Sequence, residues 1–342
     1  MPNVLICSYL EPEHLARIRA VDPSVDVSYH PDLIRTPRYV ADHVGEPLER
    51  TPEQQERWAE AMAKADVLFD FDYVEPESLV RDGRNVRWVQ ASSAGIGGVV
   101  EQFELDRSSA TFTTAAGVHA RPLAEFVLFG MLAFANNYPR ARRQQREERW
   151  ERFVGGEIEG ATLAIVGLGS IGREVARMAR SVGVRVVGSK RSVDGVDAAD
   201  LGVDQLYAFA DLHEMVADAD YVCLVAPQTP ETEGLFDDAA FAAMKSGSVL
   251  INIGRGGLVQ EDALMRALDD GPIAGAVLDV TPIEPLPDGH PLWARDDVIV
   301  FPHSASTSVR ENDRLTELFC DNLRAFIDGR PLKNVYVHDR RY

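Results

Sequence analysis

The sequence predicts an α/β fold made of two doubly wound parallel sheets. Three observations predict it. Short apolar runs alternate with helical patterns over residues 4–114, and the same alternation restarts at residue 163. A glycine-rich turn, Gly167-Leu168-Gly169-Ser170-Ile171-Gly172, stands near the head of the second series. Short strands that alternate with helices build parallel sheets covered on both faces. A chain of 342 residues is long enough for two domains with cores of their own.

In chain order, residues 4–10 read as a strand, 12–20 as a helix and 25–29 as a short strand. The polar, proline-containing stretch 31–52 reads as an exposed excursion. Residues 52–64 carry a helical pattern with Thr51 as N-cap. Further strands are expected at 67–71, 86–90 and 111–114. A long apolar helix is expected over 122–136, with Pro122 suited to its first turn. Its wide apolar surface implies packing between domains or subunits. A polar, arginine-rich helix follows over 138–153. The second series has strands at 163–166, 184–188, 221–225, 249–253, 274–279 and 298–301, a count that suits a complete dinucleotide-binding domain. The tail, 304–328, reads as a helix that crosses back to the first domain, because no sheet remains for it to start.

The glycine turn follows the apolar run 163–166 and opens a helix over 173–182, with Val175, Met178, Ala179 and Val182 on one face. That setting separates a dinucleotide site from a chance spacing of glycines. Gly167 permits the tight turn, Gly169 lets backbone N–H groups approach a pyrophosphate, and Gly172 lets helix and strand pack closely. The helix N-terminus turns its partial positive charge toward the anion.

Composition narrows the function. With 54 acidic against 35 basic residues the net charge is −19, which argues against a nucleic-acid partner. Lysine occurs only at Lys64, Lys190, Lys245 and Lys333. The acidic excess raises self-repulsion that salt would screen, so a protein working in high salt is expected, an ordinary acidic enzyme being the alternative. The apolar run 4–10 is too short for a membrane span and lacks the basic flank of a signal peptide, so a cytoplasmic protein with no membrane partner is expected. Cys7, Cys223 and Cys320 form no CxxC pair, and Cys7 and Cys223, within apolar strand-like runs, read as buried small hydrophobes. His14, His30, His43, His119, His213, His290 and His338 show no metal-ligand spacing, so no metal is expected.

Ligands of such sheets collect at the carboxyl ends of the strands. Strand 249–253 is followed by Gly254-Arg255-Gly256-Gly257, strand 274–279 by Thr281-Pro282-Ile283-Glu284-Pro285, and strand 298–301 by Pro302-His303. Singly, Arg255 reads as a surface charge, Glu284 as a solvated loop residue and His303 as a helix cap. Together they make an acid–base and carboxylate-binding set.

With these motifs in place the chain resembles the D-2-hydroxyacid dehydrogenase family, in particular its glyoxylate/hydroxypyruvate reductase branch. The resemblance rests on the glycine turn, Pro227-Gln228-Thr229-Pro230-Glu231-Thr232, Asn252-Ile253-Gly254-Arg255-Gly256, Asp279-Val280 with Glu284-Pro285-Leu286-Pro287, and Pro302-His303. Ser93-Ala94-Gly95 and Gly117-Val118-His119 match more loosely. It implies two Rossmann-like domains: a flavodoxin-like substrate domain, residues 1–116 and 307–342, with the dinucleotide-binding domain, 117–306, inserted. It also implies a homodimer held through the inserted domain and the helix near 122–136.

The resemblance assigns roles residue by residue. His303 would donate a proton to the carbonyl oxygen of a small 2-oxo acid as hydride reaches the carbon, and would take it back from the 2-hydroxy acid in reverse. Glu284 would bond the other ring nitrogen, where a carboxylate favours the imidazolium. Arg255 would bind the substrate carboxylate and carbonyl with its planar fork, helped by backbone N–H groups of Ala94, Gly95 and Ile96. Asp279 would hold the nicotinamide carboxamide. Gly167, Gly169, Ser170, Ile171, Gly172, Ala226, Pro227, Thr232, Ile253, Gly254 and Ser306 would line the cofactor. Ser306 and Ser308 stand where the family often has Gly and Thr. Trp150 is either an aromatic that reaches the neighbouring subunit's active site or an apolar anchor on a polar helix.

An NAD site normally places an acid at the end of the second strand to receive the ribose hydroxyls. Here the strand ends in Gly188-Ser189-Lys190-Arg191-Ser192, with no acid before Asp194. Ser189, Lys190 and Arg191 would instead suit a 2′-phosphate, so NADP(H) is expected in preference to NAD(H), a basic surface turn being the alternative. Other functional readings are a formate dehydrogenase, against which Glu284 speaks, and a nucleotide-sensing corepressor-like scaffold.

Overall fold

The computed structural model describes residues 2–337, so His338 and the chain beyond it lie outside the described residues. The fold divides into two compact units. One holds the described residues up to His119 together with those from Thr307 onward, and the other is Ala120–Ser306. The first crossing thus lies at 119/120, a few residues after the 116/117 expected from the sequence.

The first unit is a five-stranded parallel sheet in the order β2-β1-β3-β4-β5. Its strands are β1 (Asn3–Ile6), β2 (Asp26–Tyr29), β3 (Val67–Phe69), β4 (Trp88–Gln90) and β5 (Thr111–Thr113), and its helices α1 (Pro12–Arg19), α2 (Pro52–Lys64), α3 (Ser78–Asp82) and α4 (Gly97–Gln102), joined at the far end of the chain by α11 (Glu311–Ile327). The strands are apolar on both faces because helices cover both. Leu5, Leu68 and Val89 point into one layer with Trp58 and Met62 of α2. Val4, Ile6, Phe69 and Trp88 point into the other with Leu315, Phe319 and Leu323 of α11. Trp88 stacks on Phe319 at 5.1 Å, and its indole N–H donates to Thr113 Oγ1 at 2.8 Å. Each such buried aromatic or aliphatic side chain stabilises the fold by about 1.5–3 kcal/mol. The α2 start follows from sequence: Thr51 Oγ1 accepts the Gln54 N–H while Gln54 returns its carbonyl oxygen to the Thr51 N–H, with Pro52 at the first position.

The second unit is a seven-stranded parallel sheet in the order β12-β11-β10-β9-β6-β7-β8. Its elements are α5 (Ala120–Ala135), α6 (Tyr138–Arg146), β6 (Thr162–Val166), α7 (Ser170–Ser181), β7 (Arg185–Lys190), β8 (Gln205–Ala208), α8 (Leu212–Ala217), β9 (Tyr221–Leu224), α9 (Asp238–Ala243), β10 (Val249–Asn252), α10 (Glu261–Asp269), β11 (Gly275–Leu278) and β12 (Val298–Val300). Helices α5 and α7 cover one face through Val127, Met131, Val175 and Ala179. Leu212, Phe241 and Leu264 of α8, α9 and α10 cover the other. Outward from β6 the order is that of a dinucleotide-binding sheet with one strand added. Among the described residues no helix is long and apolar enough to cross a membrane, and all three cysteines are free and buried.

Five expectations are corrected. Strand β8 was not foreseen: Gln205–Ala208 is a partly exposed edge strand whose apolar residues Leu206, Tyr207 and Ala208 run straight on into Phe209 and Ala210 ahead of α8. Strand β7 runs on to Lys190, where it pairs with Ala208. Helix α6 stops at Arg146 rather than 153: Glu148 takes a left-handed φ of 52°, and the Arg149 N–H turns back to the Gln144 carbonyl. Helix α11 begins at Glu311 rather than 304, because the Ser304 and Ala305 N–H groups are taken by Asp279. The 31–52 excursion is also less exposed than its composition implies. Leu33 and Ile34 enter the core, and Asp42 and His43 are buried.

Candidate active site

All strands of the second unit run the same way, so their carboxyl ends share one edge. The residues singled out by sequence fall along it. The glycine turn follows β6, Arg191 follows β7, Ala226 and Pro227 follow β9, Arg255 follows β10, Asp279 follows β11 and His303 follows β12. Adjacent strands lie about 4.8 Å apart, so the ends of β10, β11 and β12 span about 10 Å, the length of a small carboxylic acid beside a ring.

His303 Nδ1 lies 2.8 Å from Glu284 Oε2. A carboxylate oxygen only accepts, so Nδ1 carries the hydrogen and Nε2 is the atom that can take up or release a proton. Nε2 has no hydrogen-bond partner among the described residues, and the side chain is about half exposed. Glu284 is fixed at its other oxygen, Oε1, by the Thr281 N–H at 3.1 Å. His303 itself sits in the left-handed region, at φ 52°. That conformation costs a non-glycine residue on the order of 1 kcal/mol. Asp279 imposes it: its carbonyl accepts the His303 N–H at 2.8 Å, and its Oδ1 accepts those of Ser304 and Ala305 at 2.8 and 2.9 Å. Burial pushes the Asp279 carboxyl above the usual carboxylate range, against the pull of those two backbone donors.

Arg255 is exposed and forms no ion pair among the described residues; its Nη1 donates to the Gly254 carbonyl at 2.7 Å. Buried Asn252 folds the loop back on itself, donating to the Arg255 carbonyl at 3.1 Å and accepting the Gly254 N–H at 3.1 Å. A Cβ on Gly256 would lie 2.0 Å from the Thr281 carbonyl oxygen. Only glycine lets the Arg255 loop lie against the loop that carries Glu284.

The glycine turn has the geometry a pyrophosphate needs. Gly167 takes φ 107°, and a Cβ there would meet the Ala226 backbone at 2.8 Å. A Cβ on Gly172 would meet the Gly167 carbonyl oxygen at 2.2 Å, whereas one on Gly169 would point into open space. Close packing at the first and third glycines and room at the second are what a dinucleotide requires. The first-turn N–H groups at Ser170, Ile171 and Gly172 lack helical partners and face that room. The residues present therefore fit the group. Around them, Ile253 and Gly254 are buried and Ser306 is half-buried.

The expected phosphate pair is partly engaged. Lys190 is half-buried, and Arg191 donates to Glu231 at 2.7 Å in an exposed ion pair. Ser189 lies inside β7, fully buried, with its Oγ unpartnered. Thr232 is also buried: its hydroxyl donates to the Pro227 carbonyl at 2.7 Å and accepts the Thr229 N–H at 2.8 Å, closing the turn on which Glu231 sits. Trp150 is almost wholly exposed. In the other unit, Ala94, Gly95 and Ile96 follow β4, and the Gly95 N–H is shared with Ser93 Oγ at 3.2 Å. Among the described residues no cluster of three or more His, Cys, Asp or Glu could hold a metal.

Sequence reasoning missed Asn252, Thr281 and Glu231, which act on the site residues through hydrogen bonds. All three stood within quoted motifs, but their roles depend on loop closure that spacing does not reveal.

Residues 128–305 match the family model for the D-isomer specific 2-hydroxyacid dehydrogenase NAD binding domain. A glyoxylate reductase of Korarchaeum cryptofilum is 34% identical over 64% of this chain and 66% of its own. Phosphoglycerate dehydrogenases among the curated relatives are matched over only 39–59% of their length. A D-isomer specific 2-hydroxyacid dehydrogenase family protein from Aeromonas salmonicida is 27% identical, with a TM-score of 0.80 over 99% of both chains. A D-isomer specific 2-hydroxyacid dehydrogenase from Xanthobacter autotrophicus, solved with NADPH and MES, is 27% identical, with a TM-score of 0.77 over 100% of this chain and 99% of that one. The sheet order, the glycine turn and the matched span of more than half the sequence agree, and the chain belongs to the D-isomer specific 2-hydroxyacid dehydrogenase family of oxidoreductases.

Proposed function

We propose that the protein is a 2-oxoacid reductase that uses NADP(H) in preference to NAD(H) and acts on a small 2-oxo or 2-hydroxy acid. The observation that carries this reading is the His303–Glu284 hydrogen bond at the carboxyl edge of the dinucleotide-binding sheet. The bound nicotinamide supplies the hydride. His303 Nε2 gives its proton to the carbonyl oxygen in reduction and receives the hydroxyl proton in oxidation, an acid–base contribution of about 10²–10⁴-fold. Glu284 keeps a hydrogen on Nδ1, so that Nε2 is the atom that exchanges the proton, and offsets the charge of the imidazolium that donates it. Arg255 binds the substrate carboxylate and polarises the carbonyl, with N–H groups of the Ala94–Ile96 loop on the carboxylate. Asp279 spends Oδ1 on the His303 loop and offers its second oxygen to the carboxamide.

The reading extends to a cytoplasmic homodimer. Phe129, Leu132 and Tyr138 are exposed around a groove of about 540 Å³ along α5, an apolar face suited to a second copy. The test of function is turnover of glyoxylate, hydroxypyruvate and a branched 2-oxo acid with NADPH and NADH, beside His303→Ala. Reduction that falls at least 100-fold in the variant supports the assignment; reduction near the parent rate means that another group donates the proton.

A further inference from the structure

The first unit contains a buried polar cluster that the chemistry above does not use. At its centre is Asp70, directly after β3, fully buried and held at φ 69° although it is not glycine. Its amide donates to the Gln90 carbonyl at 2.7 Å, and its Oδ1 accepts the Ser92 N–H at 3.2 Å and the Tyr73 hydroxyl at 3.4 Å. The β3–β4 pairing ends at Phe69 and Gln90. Asp70 therefore carries the connection past the last strand residues, and the start of the loop from Ser92 to Ile96 hangs on one carboxylate oxygen.

The other oxygen, Oδ2, is buried and has no hydrogen-bond partner. The basic group facing it is His43 Nδ1, at 3.8 Å, from the loop after β2. His43 Nδ1 also lies 2.9 Å from Ser8 Oγ, and Nε2 lies 3.0 Å from Asn312 Oδ1. Asn312 commits its amide nitrogen to Glu11 Oε2 at 2.9 Å. Its oxygen must therefore face the ring, and Nε2 is a donor. Nδ1 is the ring atom turned toward Asp70 Oδ2. No other neighbour can fill that place. Arg50 is taken by Asp72 in a bidentate pair at 2.8 Å, and Arg38 is taken by Asp42. Cys7 and Tyr73 are both pushed up by burial and stay neutral.

A strained backbone and an unpartnered buried carboxylate oxygen are both costly, and such features persist where function uses them. Their place is the β1/β3 switch point of a sheet ordered 2-1-3-4-5, where doubly wound sheets receive ligands. We propose that Asp70 and His43 are positioning residues for the carboxylate-binding loop Ala94–Ile96, an inference that rests on the substrate reading above. Asp70 presets the loop through Ser92 and Tyr73. His43 places a ring nitrogen opposite the Asp70 oxygen that has no hydrogen-bond partner.

A double-mutant cycle tests this. His43→Gln keeps a group that reaches Asn312 and removes the nitrogen that faces Asp70. It is expected to raise the KM for the 2-oxo acid about tenfold, with kcat and the KM for NADPH within about twofold of the parent. Asp70→Asn keeps the Oδ1 acceptor without the charge, so adding it to His43→Gln is expected to return the oxo-acid KM to within about threefold of the parent. Asp70→Ala, which removes the acceptor, raises that KM whichever residue stands at 43. Amide hydrogen exchange gives a readout independent of turnover: the 92–97 peptide exchanges faster in His43→Gln and Asp70→Ala and recovers in the double variant. Effects of His43→Gln and Asp70→Asn that add rather than cancel overturn the proposal. So does a KM for NADPH that rises in step, or exchange at 92–97 that does not change. A parent enzyme that reduces no 2-oxo acid overturns the activity reading instead, and the exchange pattern then decides the pair by itself.

Discussion

Asp279 grips His303 from behind: the carbonyl of the one accepts the N–H of the other at 2.8 Å, and the Asp279 carboxylate takes the next two amides of the same loop. The imidazole is thus aimed by the backbone of the neighbouring strand end.

Burial raises the Asp279 carboxyl above its usual range, so the ionised form costs stability in the folded state. The cost is absent below the unfolded carboxyl pKa of about 3.9, develops as pH rises toward the raised folded value and is complete above it. Asp279→Asn keeps an acceptor for Ser304 and Ala305 and removes that charge. Its melting temperature is expected to exceed the parent's at pH 7–8 and to converge with it near pH 3–4, while kcat/KM falls. A variant less stable at pH 8 than at pH 4, relative to the parent, would contradict the sign.

Gly256→Ala places a methyl group where the Thr281 carbonyl oxygen already sits. Overpacking of this kind costs about 1–3 kcal/mol. The Arg255 and Glu284 loops should separate, raising the KM for the 2-oxo acid while NADPH binding, measured by fluorescence titration, changes little. Unchanged steady-state kinetics would show that the two loops need not touch.

Two variants of opposite sign address cofactor choice. Replacing Lys190 and Arg191 by Ala should raise the KM for NADPH by on the order of tenfold and leave that for NADH nearly unchanged. Glu231→Gln should lower the KM for NADPH about two- to fivefold, because it frees Arg191 from an exposed ion pair worth only about 0–1 kcal/mol. Equal effects on both cofactors would refute a phosphate site at the end of β7.

The net charge of −19 implies self-repulsion that concentrated salt relieves. Melting temperature is expected to climb from low salt to molar KCl. A flat or falling series would make this an ordinary acidic enzyme.

The alternation of apolar runs and helices made both parallel sheets legible, because strands buried on two faces leave an unbroken apolar signature. Strand β8 was not, since a partly exposed edge strand of four residues leaves only a short apolar run that continues into the turn before α8. Helix α6 was overextended for the converse reason: good helix formers continue past Arg146, but nothing apolar gathers them against the core. The glycine turn, Arg255, Glu284 and His303 were legible from their places beyond strand ends. Asn252, Thr281 and the Asp70–His43 pair were not, because each works through loop closures between residues whose separation in sequence carries no periodic signal.

The stacking of Trp88 on Phe319 also orders events during synthesis. The unit Ala120–Ser306 is one uninterrupted stretch and can complete its sheet as soon as it leaves the ribosome. The strands β1 to β5 emerge before it, yet their exposed apolar face waits for a helix that follows it. The strands translated before that unit therefore mature after it, and that interval is when a chaperone has most to shield.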